Sequence, residues 1–226
     1  MRTRFHQGLD LLKEKLLTMG GMAEQAVERA VEAYGRRDAT LCRKVLEGEP
    51  AINLIERDID ELALDLLAMQ QPMAIDLRFI TAVMKINADL ERVGDQAVNI
   101  VQRVQHSLEL PQADLPVDIP RMAQLAIDMV RRSLQSFIDG RAEAAEAVLM
   151  RDDLVDDMNH EIHAAIMDYM KHSPEFMEQA VNVLLIARNL ERVADHATNI
   201  AEDVIFWLRG ADVRHHSGTR HLPHQG

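Results

Sequence analysis

The sequence predicts an all-α protein made of two tandem antiparallel three-helix bundles related by an internal repeat. Three observations predict it. The 226 residues are 47% hydrophobic yet hold only ten glycines and seven prolines, fewer breakers than the roughly 12% of an ordinary chain. Apolar residues recur at i, i+3, i+4 and i+7 over long stretches. An eleven-residue segment comes back 100 positions later with eight identities. The 4% aromatic content is also a thin supply for a β-sandwich core.

The first helix is predicted from Phe5 to Arg36, with Leu9, Leu12, Leu16, Met19, Ala23, Val27, Ala30 and Val31 on its apolar stripe. The second starts after Asp38, a good N-cap residue, and runs to Met69 with a kink expected at Gly48–Pro50. Gln70, Gln71 and Pro72 stop it. The third spans Met73–His106, about 50 Å at 1.5 Å per residue. Leu110–Pro120 carries three prolines and no periodic pattern, so it reads as a linker. The second half follows the same plan: helices over Val117–Asp139, Arg141–Tyr169 and Pro174–Arg209, the last capped by Ser173. The expected division is therefore 1–110, 117–210 and a mobile tail, 211–226, with four histidines.

The repeat is explicit. Leu90–Ile100 (LERVGDQAVNI) matches Leu190–Ile200 (LERVADHATNI), and Ile52–Ile59 matches Val155–Ile162 more weakly at an offset of 103. One supersecondary unit used twice explains both.

Charge and cysteine content exclude several functions. With 25 Lys and Arg against 37 Asp and Glu, the net charge is −12, which argues against nucleic acid, since phosphate backbones need a basic patch. The single Cys42 excludes an internal disulfide framework and a cysteine-based zinc site. No apolar run reaches the ~18 residues of a membrane span, and Met1–Asp10 lacks a signal peptide's apolar centre. A soluble, cytoplasmic protein is expected.

The candidate site comes from carboxylates at unusual helical phases. On a helical wheel Glu91 and Asp95 fall within about 50° of their helix's apolar face rather than opposite it. Asn99 follows, and Glu191, Asp195 and Asn199 repeat the phase, with Glu202 added. Neighbouring helices offer Glu49 and Asn53, then Asp152 and Asp156, with Glu24 and Asp128 in apolar stretches of the first and fourth helices. Buried carboxylates need a shifted pKa, a basic partner or a metal. Oxygens converging from several helices suit iron, magnesium or manganese, and zinc less selectively. An interhelical salt-bridge network or an uncharged hydrogen-bonded cluster are the other readings of the same pattern.

The thirteen methionines fall mostly at core spacing and read as filler. Asp157 and His160 form an Asp-x-x-His, no Glu-x-x-His exists, and His160 and His163 read as surface residues. That counts against a di-iron oxidase built on a helical bundle, which uses Glu-x-x-His twice. No phosphate-cradling glycine loop, nucleophile elbow or Cys/His dyad is present. Trp207 reads as a packing anchor.

Leu90–Ile100 and Leu190–Ile200 resemble the paired Glu-Arg-Val/Ile-Gly-Asp segments of the PhoU family. So do Arg188–Arg192, Met19–Met22 and the ending Arg209-Gly210-x-Asp212-x-Arg214-His215. The resemblance implies two tandem three-helix bundles, each with a surface metal-cluster site, often of iron or zinc. It implies a regulator of phosphate uptake and phosphate-starvation signalling rather than an enzyme. The implied partners are the ATPase subunit of a phosphate ABC transporter and a sensor histidine kinase, with a homodimer common and membrane contact only through partners. Asn53 departs from the pattern where a second acid would complete the pair with Glu49, which predicts a weaker first site. Ala194 replaces the usual glycine, and Pro50 adjoins a ligand position. A carboxylate-bridged metalloenzyme and a purely structural helical module are the alternatives.

Overall fold

The computed structural model describes residues 4–69 and 72–210. Seven α-helices account for nearly all of it: α1 Arg4–Arg36, α2 Ala39–Met69, α3 Ala74–Leu108, α4 Ile119–Asp139, α5 Ala142–Leu149, α6 Asp152–His172 and α7 Met177–Arg209. No strand occurs among the described residues. The His-containing tail and Gln70–Gln71 lie outside them.

Local chemistry sets the helix ends. Asp38 accepts from the amides of Thr40 (2.7 Å) and Leu41 (3.3 Å) and so caps α2 as expected. Arg37 beside it takes a left-handed φ of 51° and donates to the carbonyls of Ser107 (2.8 Å) and Leu110 (3.1 Å), closing the end of α3. Asp118 caps α4 through the Arg121 amide (3.0 Å), so that helix starts two residues later than Val117. Gly140 (φ 61°) and Gly210 (φ 69°) end α4 and α7 in the left-handed conformation glycine permits.

Two boundaries differ from the sequence reading. The single helix expected over Arg141–Tyr169 is two, α5 and α6, separated at Met150–Arg151. Val148, Val155 and Ile162 are all buried and spaced seven apart, so the apolar pattern runs straight through the break. The guanidinium of Arg151 is held 3.1 Å from Asp128 on α4, and Asp152 and Asp153 favour a fresh helix N-terminus. Conversely α2 continues through Pro50, which faces solvent. Ser173 makes no side-chain cap bond, and Pro174–Phe176 form a 3₁₀ turn ahead of α7.

α1, α2 and α3 form one bundle, and α4 to α7 the other. The hydrophobic core is continuous between them. Their shared spine is α3 against α7, antiparallel, with contacts from Lys85 to Asp203 and Asp89 to Asn199 near one end and from His106 to Glu178 near the other. Phe79, Phe137 and Trp207 lock α3, α4 and α7 with centroid spacings of 5.6, 5.2 and 5.3 Å, so Trp207 is the anchor the sequence suggested.

Candidate functional site

In the first bundle the site lies along the α2–α3 groove. Gly94 is what lets the helices close there, for a Cβ on it would meet the Ile52 Cδ1 at 3.1 Å. The second bundle reaches the same fit with the opposite sizes: Val155 stands for Ile52 and Ala194 for Gly94, both buried. Beside this contact α3 presents Glu91 and Asp95, and α2 presents Glu49, Asn53 and Glu56, all half-buried. The second groove, α6–α7, holds Asp152, Asp156 and Asn159 opposite Glu191 and Asp195, of which Asp195 is the most exposed. The acids flank the core at the groove edge rather than pointing into it.

Sequence reasoning missed Glu56 and Asn159. The 103-residue offset that equates Ile52 with Val155 also equates Glu49 with Asp152, Asn53 with Asp156 and Glu56 with Asn159. Each groove therefore offers four carboxylates and one amide, with acid and amide exchanged between adjacent turns. The first site is not short of an acid, because Glu56 supplies what Asn53 lacks. In both, the amide bonds a carboxylate: Asn53 Nδ2 donates to Glu49 Oε1 (2.7 Å), and Asn159 Nδ2 to Glu191 Oε2 (2.9 Å).

The grooves are electrostatically strained. Burial, then repulsion from Asp95 and Glu56, raises Glu91 above the usual carboxylate range. Burial and Glu49 raise Asp95, and burial and Asp60 raise Glu56. Burial, then Asp95's counterpart in the duplicate, raises Glu191, and burial and Asp156 raise Asp195. Asp152 goes furthest, to about 6, through burial and then Asp156, Asp195, Asp153 and Glu191. Its Oδ1 is buried with no hydrogen-bond partner. Among the described residues none of these eight acids forms an ion pair, whereas Glu24 bonds Arg131 (3.1 Å) and Asp128 bonds Arg132 (2.6 Å) and Arg151 (3.1 Å). Glu24 and Asp128 are thus salt-bridged side chains of the α1–α4 and α4–α6 contacts. Among the described residues, no three Asp, Glu, His or Cys side chains stand in ligand geometry as they are. The donor set is all oxygen, so it fits a hard cation in kind, provided the side chains close around it.

Asn99, Asn199 and Glu202 are not brought to these grooves. Asn199 donates to Asp89 Oδ1 (3.2 Å) across the α3–α7 spine, and Asn99 lies 3.5 Å from Gln96 Oε1. Glu202 lines a 330 Å³ cavity with Lys85, Ala88, Asp89, Arg92, Asn199 and Asp203. His160 is exposed, its Nδ1 against the Asp156 carbonyl (2.8 Å), and His163 is exposed too.

The fold and the site define a class: a duplicated helical-bundle protein carrying a matched pair of carboxylate grooves. The PhoU domain family model matches residues 16–104 and 119–204, one copy on each half, and the chain belongs to the PhoU family. It is 36% identical over 220 residues to a Pseudomonas aeruginosa phosphate-specific transport system accessory protein PhoU homolog, covering 96% of this chain and 90% of that one. It is 30% identical over 215 residues to the Escherichia coli K12 accessory protein PhoU, covering 95% and 89%. The crystal structure of Pseudomonas aeruginosa PhoU superposes with a TM-score of 0.87 at 34% identity, over 92% of this chain and 100% of that chain. That of the phosphate transport system regulatory protein PhoU from Streptococcus pneumoniae gives 0.86 at 27% identity, over 93% and 99%.

Proposed function

We propose that this protein is a non-enzymatic, metal-binding regulator of phosphate uptake. It would couple the ATPase subunit of a phosphate ABC transporter to a sensor histidine kinase, as a cytoplasmic homodimer that restrains phosphate-starvation signalling. The relatives' names, accessory protein of phosphate-specific transport, support the transport role. No described helix is long and apolar enough to cross a membrane, which agrees with membrane contact through partners.

The observation that carries the metal part is the duplicated groove of four unpaired carboxylates and one amide. Repulsion among acids one turn apart would be relieved by a cation, and the buried Asp152 Oδ1 has no hydrogen-bond partner in the protein. Glu49, Glu56, Glu91 and Asp95 would hold one site, with Asp152, Asp156, Glu191 and Asp195 the other. Iron or zinc is the expected occupant, with magnesium or manganese as alternatives. The metal would supply charge neutralisation that fixes α2 to α3 and α6 to α7.

Three experiments test the reading. Glu191→Gln with Asp195→Asn should lower the metal content of purified protein while the helical circular dichroism stays unchanged; wild-type metal levels would refute the ligand set. Deleting the gene should switch on phosphate-scavenging genes at ample phosphate, and the transporter ATPase subunit should be retained by the immobilised protein. Unchanged expression would remove the regulatory role.

A further inference from the structure

The internal repeat equates each residue of α3 with the one 100 positions later on α7, so the residues lining the cavity at one end of the spine have counterparts at the other. The two ends differ in net charge. Around the cavity stand three acids, Asp89, Glu202 and Asp203, against two bases, Lys85 and Arg92. At the related positions Asp89 becomes Asn189, Glu202 becomes Gln102, Asp203 becomes Arg103, and Ala88 becomes Arg188. Arg192 matches Arg92. Every acid is gone, and three arginines remain.

These arginines are uncommitted. Among the described residues none of Arg103, Arg188 and Arg192 forms an ion pair, although the chain's net charge is −12. Acids nearby are accounted for. Glu191 and Asp195 lie one turn along α7 in the α6–α7 groove, where Arg188 and Arg192 only moderate their raised pKa values. Glu178 is engaged by His106 at 2.9 Å. Asparagine amides accompany the arginines in this set of positions. Asn189 is buried and uses one N–H on the Leu185 carbonyl (2.7 Å), leaving its second proton available. Asn99 is the counterpart of Asn199, the asparagine that bonds Asp89 at the acidic end.

We propose that the Arg103–Arg188–Arg192 end of the α3–α7 spine binds a phosphate-type oxyanion. A single carboxylate would leave excess positive charge among three guanidiniums. A doubly charged tetrahedral anion accepts several charge-assisted hydrogen bonds at once, the geometry arginine forks suit. The group could come from free phosphate or from a phosphate ester on a larger molecule. This site is separate from the acid grooves of the function proposed above and does not depend on a metal.

The test is calorimetric titration of the full chain at low salt, after chelator treatment, so that phosphate cannot enter through a metal in the acid grooves. Inorganic phosphate probes the free anion and phenyl phosphate the ester. Saturable binding of either supports the site, and which of the two binds identifies the source. The Arg103→Gln, Arg192→Gln double variant should weaken it by about tenfold or more. Arg92→Gln, at the acidic end, should leave it unchanged. Arg192 is exposed and Arg103 partly so, and unchanged helical dichroism confirms folding. No saturable binding of either probe, or equal affinity in the double variant, overturns the proposal.

Discussion

Asp89 Oδ1 lies 2.9 Å from His196 Nδ1, joining the two halves of the molecule through side chains that are only 9% and 14% exposed. Asn199 supports the same oxygen at 3.2 Å, and Arg92 stands at 3.7 Å. His196→Leu removes the nearest partner of a buried carboxylate and is expected to destabilise the protein by about 1–3 kcal/mol. His196→Gln, which installs the residue found at the related position 96, should recover at least half of that. Chemical denaturation of the three proteins checks it, and equal stability of the Leu and Gln variants would contradict it.

The Asp152 carboxyl, at about 6 against an ordinary 3.8, makes a pH prediction. A carboxyl with a raised folded-state pKa holds protons that the unfolded chain releases, so its contribution to stability falls as pH rises from about 4 to about 6. Solvent screening at this half-buried group limits the effect to about 1 kcal/mol. Metal-free protein should therefore melt at a higher temperature near pH 5 than near pH 7. Asp152→Asn should raise the melting temperature at neutral pH and flatten the slope. A variant as pH-sensitive as the parent would point to other groups.

The exchange of Ile52 and Gly94 for Val155 and Ala194 predicts a coupled pair. Gly94→Ala gains helix propensity of up to ~1 kcal/mol but forces Ile52 to yield, at about 1–3 kcal/mol. The single substitution should cost about 1 kcal/mol. In an Ile52→Val background it should be neutral or stabilising. A double-mutant cycle with no coupling would show that the groove relaxes elsewhere.

Phe79, Phe137 and Trp207 come from three helices and both halves. Trp207→Ala is expected to cost about 3 kcal/mol, toward the lower end for a buried aromatic because the indole is only partly buried. Differential scanning calorimetry reads the loss, and a separation into two transitions would show that the ring cluster couples the bundles.

The sequence revealed the helices and their duplication because both are local or periodic signals. It concealed the α5–α6 break because Val148, Val155 and Ile162 keep one heptad phase through it, while the break itself depends on the contact of Arg151 with Asp128. Glu91, Asp95, Glu191 and Asp195 were legible from their wheel positions. Glu56 and Asn159 were in principle legible too, since the segments Ile52–Ile59 and Val155–Ile162, matched at an offset of 103, already contain them. The turn of Asn199 and Glu202 toward α3 was not, because a single helix's wheel does not say which neighbour occupies each flank.

Glu91 is two residues from Asp89, and Glu191 two from Asn189, so each acid groove abuts the seam where α3 meets α7. These helices run 35 and 33 residues, long stiff rods that respond as whole bodies rather than bending locally. Drawing α2 onto α3, or α6 onto α7, thus pulls on a lever whose fulcrum is common to both halves. A cation in one groove would thus bear on the same seam as a cation in the other.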